Sequence, residues 1–267
     1  LEDFTWSDFC FKEAVQITAL DPLLQALPAC PHLQMVTIMT ECASADAIKN
    51  MLQLQPATDL RLVVGTEHWL AVADGIRQGR CNIKHLSIRA LKISTLEATE
   101  AVEAIASAIR LDRSLEHLTL KMETTDEAGV ALAEALTVNT TLRTIKLYAL
   151  RTIPDLANAL GVSAYEAFSA MLRVNTSLVL QVQEVPSFDD AVGDERLVDS
   201  RRQMCVEQRL NQVGRGRLLS SSQTPSEEGV DALNELNELN SSYVDETLEF
   251  NISCLYSLLR LNPATCM

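Results

Sequence analysis

Two histidines, His85 and His117, hold the same place in two segments of matching pattern, NIKHLSI (82–88) and SLEHLTL (114–120). On neighbouring strands such side chains would lie about 5 Å apart, close enough to share a metal ion or to gain charge together near about pH 6. Zinc sites use roughly three or four protein ligands, and no third ligand of the usual kind accompanies the pair, so no metal is expected. Around the histidines stand Lys84 and Arg89, then Glu116 and Lys121, and in a third segment, TLRTIKL (141–147) with the Tyr148 that follows, Arg143 and Lys146. This is a basic strip with one acid, on a chain whose net charge is −14. Its chemistry is attraction of an acidic surface rather than bond making. Polar residues also fill solvent-facing strand positions where no partner exists, so the strip alone does not decide between the two.

Catalytic patterns are missing from the sequence. GRGR (214–217) lacks the Lys-Ser/Thr of a phosphate loop. No Gly-x-Ser-x-Gly elbow occurs, and no cysteine has a histidine placed to activate it. The paired carboxylates Asp189 and Asp190 fall in a linker-like stretch, where nothing would separate their pKa values. The chain is therefore not expected to be an enzyme, and no cofactor is expected. Asn139, Asn175, Asn240 and Asn251 open Asn-x-Ser/Thr sequons, read as chance matches rather than glycosylation sites.

The residues of the strip must be positioned by the elements around them. Leu/Ile-x-x-Leu/Ile-x-Leu/Ile recurs as Ile83, Leu86, Ile88; Leu115, Leu118, Leu120; and Leu142, Ile145, Leu147. HLQMVTI (32–38) fits through Leu33, Val36 and Ile38, while DLRLVV (59–64) and SLVLQV (177–182) fit less well, with a register open by a residue or two. The first apolar positions of these six segments lie 23 to 36 residues apart. Helical periodicity fills the gaps: Leu96, Val102, Ile105, Ala106 and Ile109 in 95–111, then Val130, Leu132, Ala133 and Leu136 in 126–138. Ser94 with Glu97, Thr124 with Glu127 and Ser163 with Glu166 have the spacing of capping boxes. The helices leave through similar exits, RLDRSL (110–115), TVNTTL (137–142), RVNTSL (173–178) and RLNPAT (260–265).

At these residues the chain resembles leucine-rich repeat proteins of the ribonuclease-inhibitor-like family, whose repeats run to about 20–29 residues. The resemblance implies an α/β solenoid, a horseshoe with parallel strands on its concave face and helices on its convex face. It covers residues 15 to 183 and departs from the family at one place. The Asn usual after the last strand Leu is replaced by Leu91, Glu123 and Leu150, so no side-chain Asn ladder is expected. With the Leu/Ile positions turned inward, Lys84, His85, Arg89, His117, Lys121, Arg143, Lys146 and Tyr148 form the candidate partner-binding face. The acids Glu97, Glu100, Glu103, Asp126, Glu127 and Glu134 sit on helices and loops. Such segregation focuses a positive potential and steers an acidic partner. The expected function is a non-enzymatic protein–protein interaction module. The resemblance also allows a regulator of an enzyme, such as a GTPase-activating or inhibitor-type repeat protein.

Three parts are expected: a solenoid with its N-terminal edge (1–183), an insertion or linker with one helix (184–229), and a C-terminal helical cap (230–267). QRLNQVGRGRLL (208–219) with LYSLLRLNP (255–263) also resembles the C-terminal region of repeat proteins from unicellular algae, which implies no function. Phe4, Trp6, Phe9 and Phe11 read as an N-terminal edge or cap, or as a surface where an upstream domain docks. A first residue other than Met suggests a fragment or a processed product. Seven widely spaced cysteines, an odd number, argue for reduced thiols in a cytoplasmic protein. The acidity disfavours nucleic acid and anionic membrane as partners, and no run approaches the about 18 apolar residues of a membrane span.

Overall fold

The computed structural model describes residues 3–5, 34–39, 44–54, 58–65, 68–78, 83–90, 94–122, 124–149, 160–184 and 195–213. In chain order the elements are β1 (Asp3–Thr5), β2 (Met35–Met39), α1 (Ala45–Leu54), β3 (Asp59–Val64), α2 (Trp69–Arg77), β4 (His85–Ala90), α3 (Thr95–Ile109), β5 (His117–Lys121), α4 (Asp126–Val138), β6 (Thr144–Ala149), α5 (Val162–Val174), β7 (Val179–Glu184) and α6 (Glu195–Val213). The strands form one sheet in the order β1-β2-β3-β4-β5-β6-β7, and every neighbouring pair is parallel. The fold is α/β, with strands and helices alternating from β2 onward. None of the described helices is long and apolar enough to cross a membrane.

Parallel sheets are usually covered on both faces and then read as continuous apolar runs. Here the strands alternate, as the sequence pattern predicts. Leu60, Leu86, Leu118, Ile145 and Leu180 lie in register across β3–β7 and are buried, as are Val36 and Ile38 on β2. These side chains share one core with Ile48, Leu52, Val72, Ile76, Val102, Ile105, Leu132, Leu136, Phe168 and Leu172 from the helices. Most of the opposite strand positions are polar and at least partly accessible, with Met35, Val63 and Val179 as apolar exceptions. Leu60 pairs with Leu86 rather than with the preceding Ile83, which fixes the register of β3 that the sequence left open. Leu96 is a correction: it is 70% exposed, on the side of α3 away from the core.

The helix starts follow local chemistry in two cases and a long-range contact in the third. Ser94 and Glu97 make the expected capping box: the Glu97 backbone N–H donates to Ser94 Oγ, and the Ser94 N–H donates to Glu97 Oε2 (2.9 Å). At α4 the cap is Thr125, whose Oγ1 accepts from the Ala128 N–H, and not Thr124. The expected Ser163–Glu166 box is absent because α5 begins earlier, after Gly161. Its cap is supplied by Asp126 on α4, which accepts from the N–H groups of Gly161 (2.9 Å) and Ala164 (2.7 Å). A Cβ on Gly161 would stand 2.8 Å from that carboxyl carbon. Gly129 allows a similar approach, since a Cβ there would lie 2.7 Å from the Ala164 Cβ.

The helix exits carry an Asn ladder, at positions other than the post-strand ones read from the sequence. Asn139 Nδ2 donates to the carbonyls of Ile109 (2.7 Å) and Asp112 (3.2 Å). Asn175 Nδ2 repeats this with Leu136 and Asn139 (both 2.8 Å), and Asn211 Nδ2 with Leu172 (2.9 Å) and Asn175 (3.0 Å). Asn139 and Asn175 are buried with their amides engaged, so neither sequon presents a glycan acceptor. The helix expected within 184–229 is α6. Asn211 ties it to α5, as does the buried Glu207, which accepts from Arg173 Nε at 2.8 Å.

Several expectations lie outside the described residues: Leu91, Glu123 and Leu150, the GRGR segment, Asp189 and Asp190, the cap at 230–267, and every cysteine but Cys205. Trp6, Phe9 and Phe11 lie outside them too, as does the Phe4 side chain, although the Phe4 backbone belongs to β1.

Candidate functional site

The backbone sets the candidate face before any side chain is considered. The Lys84 carbonyl accepts from the N–H groups of Glu116 and His117, and the Glu116 carbonyl accepts from those of Arg143 and Thr144. This shared entry brings Lys84, Glu116 and Arg143 abreast just before their strands. Three outward rows follow. The first is Asp59, His85, His117 and Thr144; the second Arg61, Ser87, Thr119 and Lys146; the third Val63, Arg89, Lys121 and Tyr148. Strands lie about 4.8 Å apart and residues i, i+2 about 6.6 Å apart, so the rows form a grid of named chemistry.

Six of the eight candidate residues, His85, Arg89, His117, Lys121, Lys146 and Tyr148, therefore share one face, with Lys84 and Arg143 at its entry, but they do not act alike. His85, His117, Lys121, Lys146 and Tyr148 line a depression of about 310 Å³ on β3–β6. Lys84, Arg143 and Arg89 are not part of its lining. Lys84 Nζ pairs with Glu116 Oε1 at 2.9 Å, and Arg143 Nε lies 4.0 Å from Glu116 Oε2. The single acid of the strip thus occupies two of its cations. The Lys84 hydrogen bond, followed by the charges of Lys84, Arg143 and His117, keeps Glu116 ionised below the usual carboxylate range. Arg89 is exposed at the far end of β4, beside Lys121.

The histidine rings stack with centroids 4.4 Å apart and planes tilted by 32°. Partial burial, then the neighbouring His85, and less so Arg143 and Lys146, hold His117 below the ordinary imidazole value, while Glu116 opposes them. His117 thus resists gaining a proton beside His85. Among the described residues no three His, Cys, Asp or Glu side chains are grouped to hold a metal ion. Lys121 Nζ lies 5.1 Å from the centre of the Tyr148 ring, a cation–π contact that holds the ammonium over the edge of the depression.

Sequence reasoning missed the β3 contribution. Asp59 and Arg61 line the depression, and Asp59 Oδ1 lies 3.6 Å from Arg61 Nε. The signal was present, because DLRLVV alternates, but Asp59 and Arg61 could be placed only once Leu60 was aligned with Leu86. The hydroxyls of Ser87, Thr119 and Thr144 also line the depression. Across 59–61, 84–89, 116–121 and 143–148, six Lys and Arg side chains face two carboxylates, apart from the two histidines. Glu100, Glu103, Glu127 and Glu134 are exposed on α3 and α4, whereas Asp126 is engaged in capping α5.

In comparisons with known proteins, no family model and no curated sequence matches this chain.

Proposed function

We propose that the chain is a protein-binding module, a repeat solenoid of the leucine-rich, ribonuclease-inhibitor-like type that captures an acidic partner on its strand face. The repeat reading is supported by strands that pair strictly in chain order and by helix exits tied together through equivalent Asn side chains. The observation that carries the binding role is charge segregation. Lys121 and Lys146 border the depression with no carboxylate in ion-pair range among the described residues, while acids occupy the exposed sides of α3 and α4. A cationic recess on an acidic body draws in a matched acidic surface and repels unmatched ones. Tyr148 and Arg89 add contact area and directional donors, the properties that favour these residue types at interfaces.

The test is charge reversal. Wild type and the Lys121→Glu/Lys146→Glu variant are compared for binding to poly-glutamate at low and raised salt, and for the proteins each captures from a lysate. Wild-type binding should weaken with salt, and the variant should lose both the poly-glutamate and the captured partner. Equal binding by the two proteins overturns the proposal.

A further inference from the structure

We infer that the depression is a receptor for a single phosphorylated side chain presented by an acidic segment of a partner protein; the inference rests on the protein-binding role proposed above and names its ligand. The shape follows from side-chain length. Ser87 and Thr119 sit abreast at the centre of the grid, and their short hydroxyl side chains leave the space that the depression occupies. Longer side chains stand around them: the cations Arg61 and Lys146 at the two ends of the same row, the imidazoles of His85 and His117 in the row before, and Lys121 in the row after. Among the described residues, the only carboxylate in the lining is Asp59, beside Arg61 at the edge.

Donors lining a recess around two hydroxyls suit a compact tetrahedral dianion better than a planar carboxylate. A phosphate monoester carries about −1.5 to −2 charges and three acceptor oxygens, against one charge and two oxygens for Glu. It can accept from Thr119 and Ser87 while facing Lys146 and Lys121.

The test uses fluorescein-labelled peptides rich in Glu and Gly that differ at one central residue: phosphoserine, serine or glutamate. Binding to the full chain is followed by anisotropy, beside a single-stranded oligonucleotide of similar length. The phosphoserine peptide should bind at least about tenfold more tightly than the serine peptide, the advantage expected for a charge-assisted dianion. That advantage should disappear in Lys146→Gln, return in part in Lys146→Arg, and shrink several-fold in Thr119→Val. If all three peptides bind alike through Lys121 and Lys146, the phosphate inference is overturned and the acidic-partner reading stands. If no peptide binds, both fall. An oligonucleotide that binds as tightly as the phosphopeptide also overturns the inference and assigns the face to nucleic acid.

Discussion

The side-chain amide of Asn175 donates to the backbone carbonyl of Asn139, 36 residues earlier, at 2.8 Å. A second bond from the same Nδ2 reaches the Leu136 carbonyl at the end of α4. Helix ends leave carbonyls without intrahelical partners, and here the next unit satisfies them. Truncation in Asn175→Ala would strand two buried acceptors, and should cost about 2–4 kcal/mol of stability. Asn175→Asp should be as damaging, since a carboxylate cannot donate. Both effects appear as a lower urea midpoint at unchanged slope; a midpoint equal to wild type would show that the ladder carries no stability.

Glu116 restrains the cationic face through Lys84 and Arg143. Replacing it with Gln releases both cations while leaving the shape of the face intact. Poly-glutamate should then bind about two- to threefold more tightly at low salt, with the gain fading as salt rises. The thermal midpoint should hardly move, because an exposed ion pair contributes little. Weaker poly-glutamate binding would mean that Glu116 positions the face rather than masking it.

His117 gives the protein a defined pH response. Its folded pKa lies below the ordinary 6.5, chiefly through burial and then through His85. As pH falls from 6.5 toward the folded value, the unfolded chain takes up this proton and the folded chain does not, so stability declines across that window. Below the folded value the contribution stays constant, and above 6.5 it is absent. Thermal melts of His117→Gln should show a flatter pH profile than wild type. An NMR titration placing the His117 midpoint at or above 6.5 would contradict this assignment.

Asp126 and Gly161 form one device. The carboxylate caps α5 only because Gly161 has no Cβ to meet it. Asp126→Ala should cost about 1–2 kcal/mol, as for loss of a helix cap, and Gly161→Ala should also destabilise by displacing the carboxylate. In the double variant the Gly161→Ala cost should shrink, because nothing remains to displace. Strict additivity would show that the two residues act separately.

Local signals were legible in the sequence and non-local ones were not. The alternation in NIKHLSI and SLEHLTL placed Leu86 and Leu118 inward and His85 and His117 outward, as observed. Ser94 with Glu97 was legible because both halves of that box lie within one turn. Ser163 with Glu166 has the same spacing, yet the start of α5 is fixed by Asp126 from another helix, which spacing cannot reveal. The ladder was not legible from any one exit, because the carbonyls that Asn139 and Asn175 reach lie 27 to 39 residues away in the chain. At the candidate site, the attachment of Lys84 to Glu116 depends on a cross-strand distance, and the role of Arg61 on a register that DLRLVV alone leaves open.

The sheet order has a mechanical consequence. Among the described residues each strand is bonded only to its neighbours in chain order, so the stack can part at one seam while the seams farther away stay shut. A guest seated over Ser87 and Thr119 would straddle β4, β5 and β6 and act as a clasp across two such seams. Its arrival should slow amide exchange in those three strands by mass action and leave β2 unchanged. The protein would register occupancy as stiffness confined to its middle.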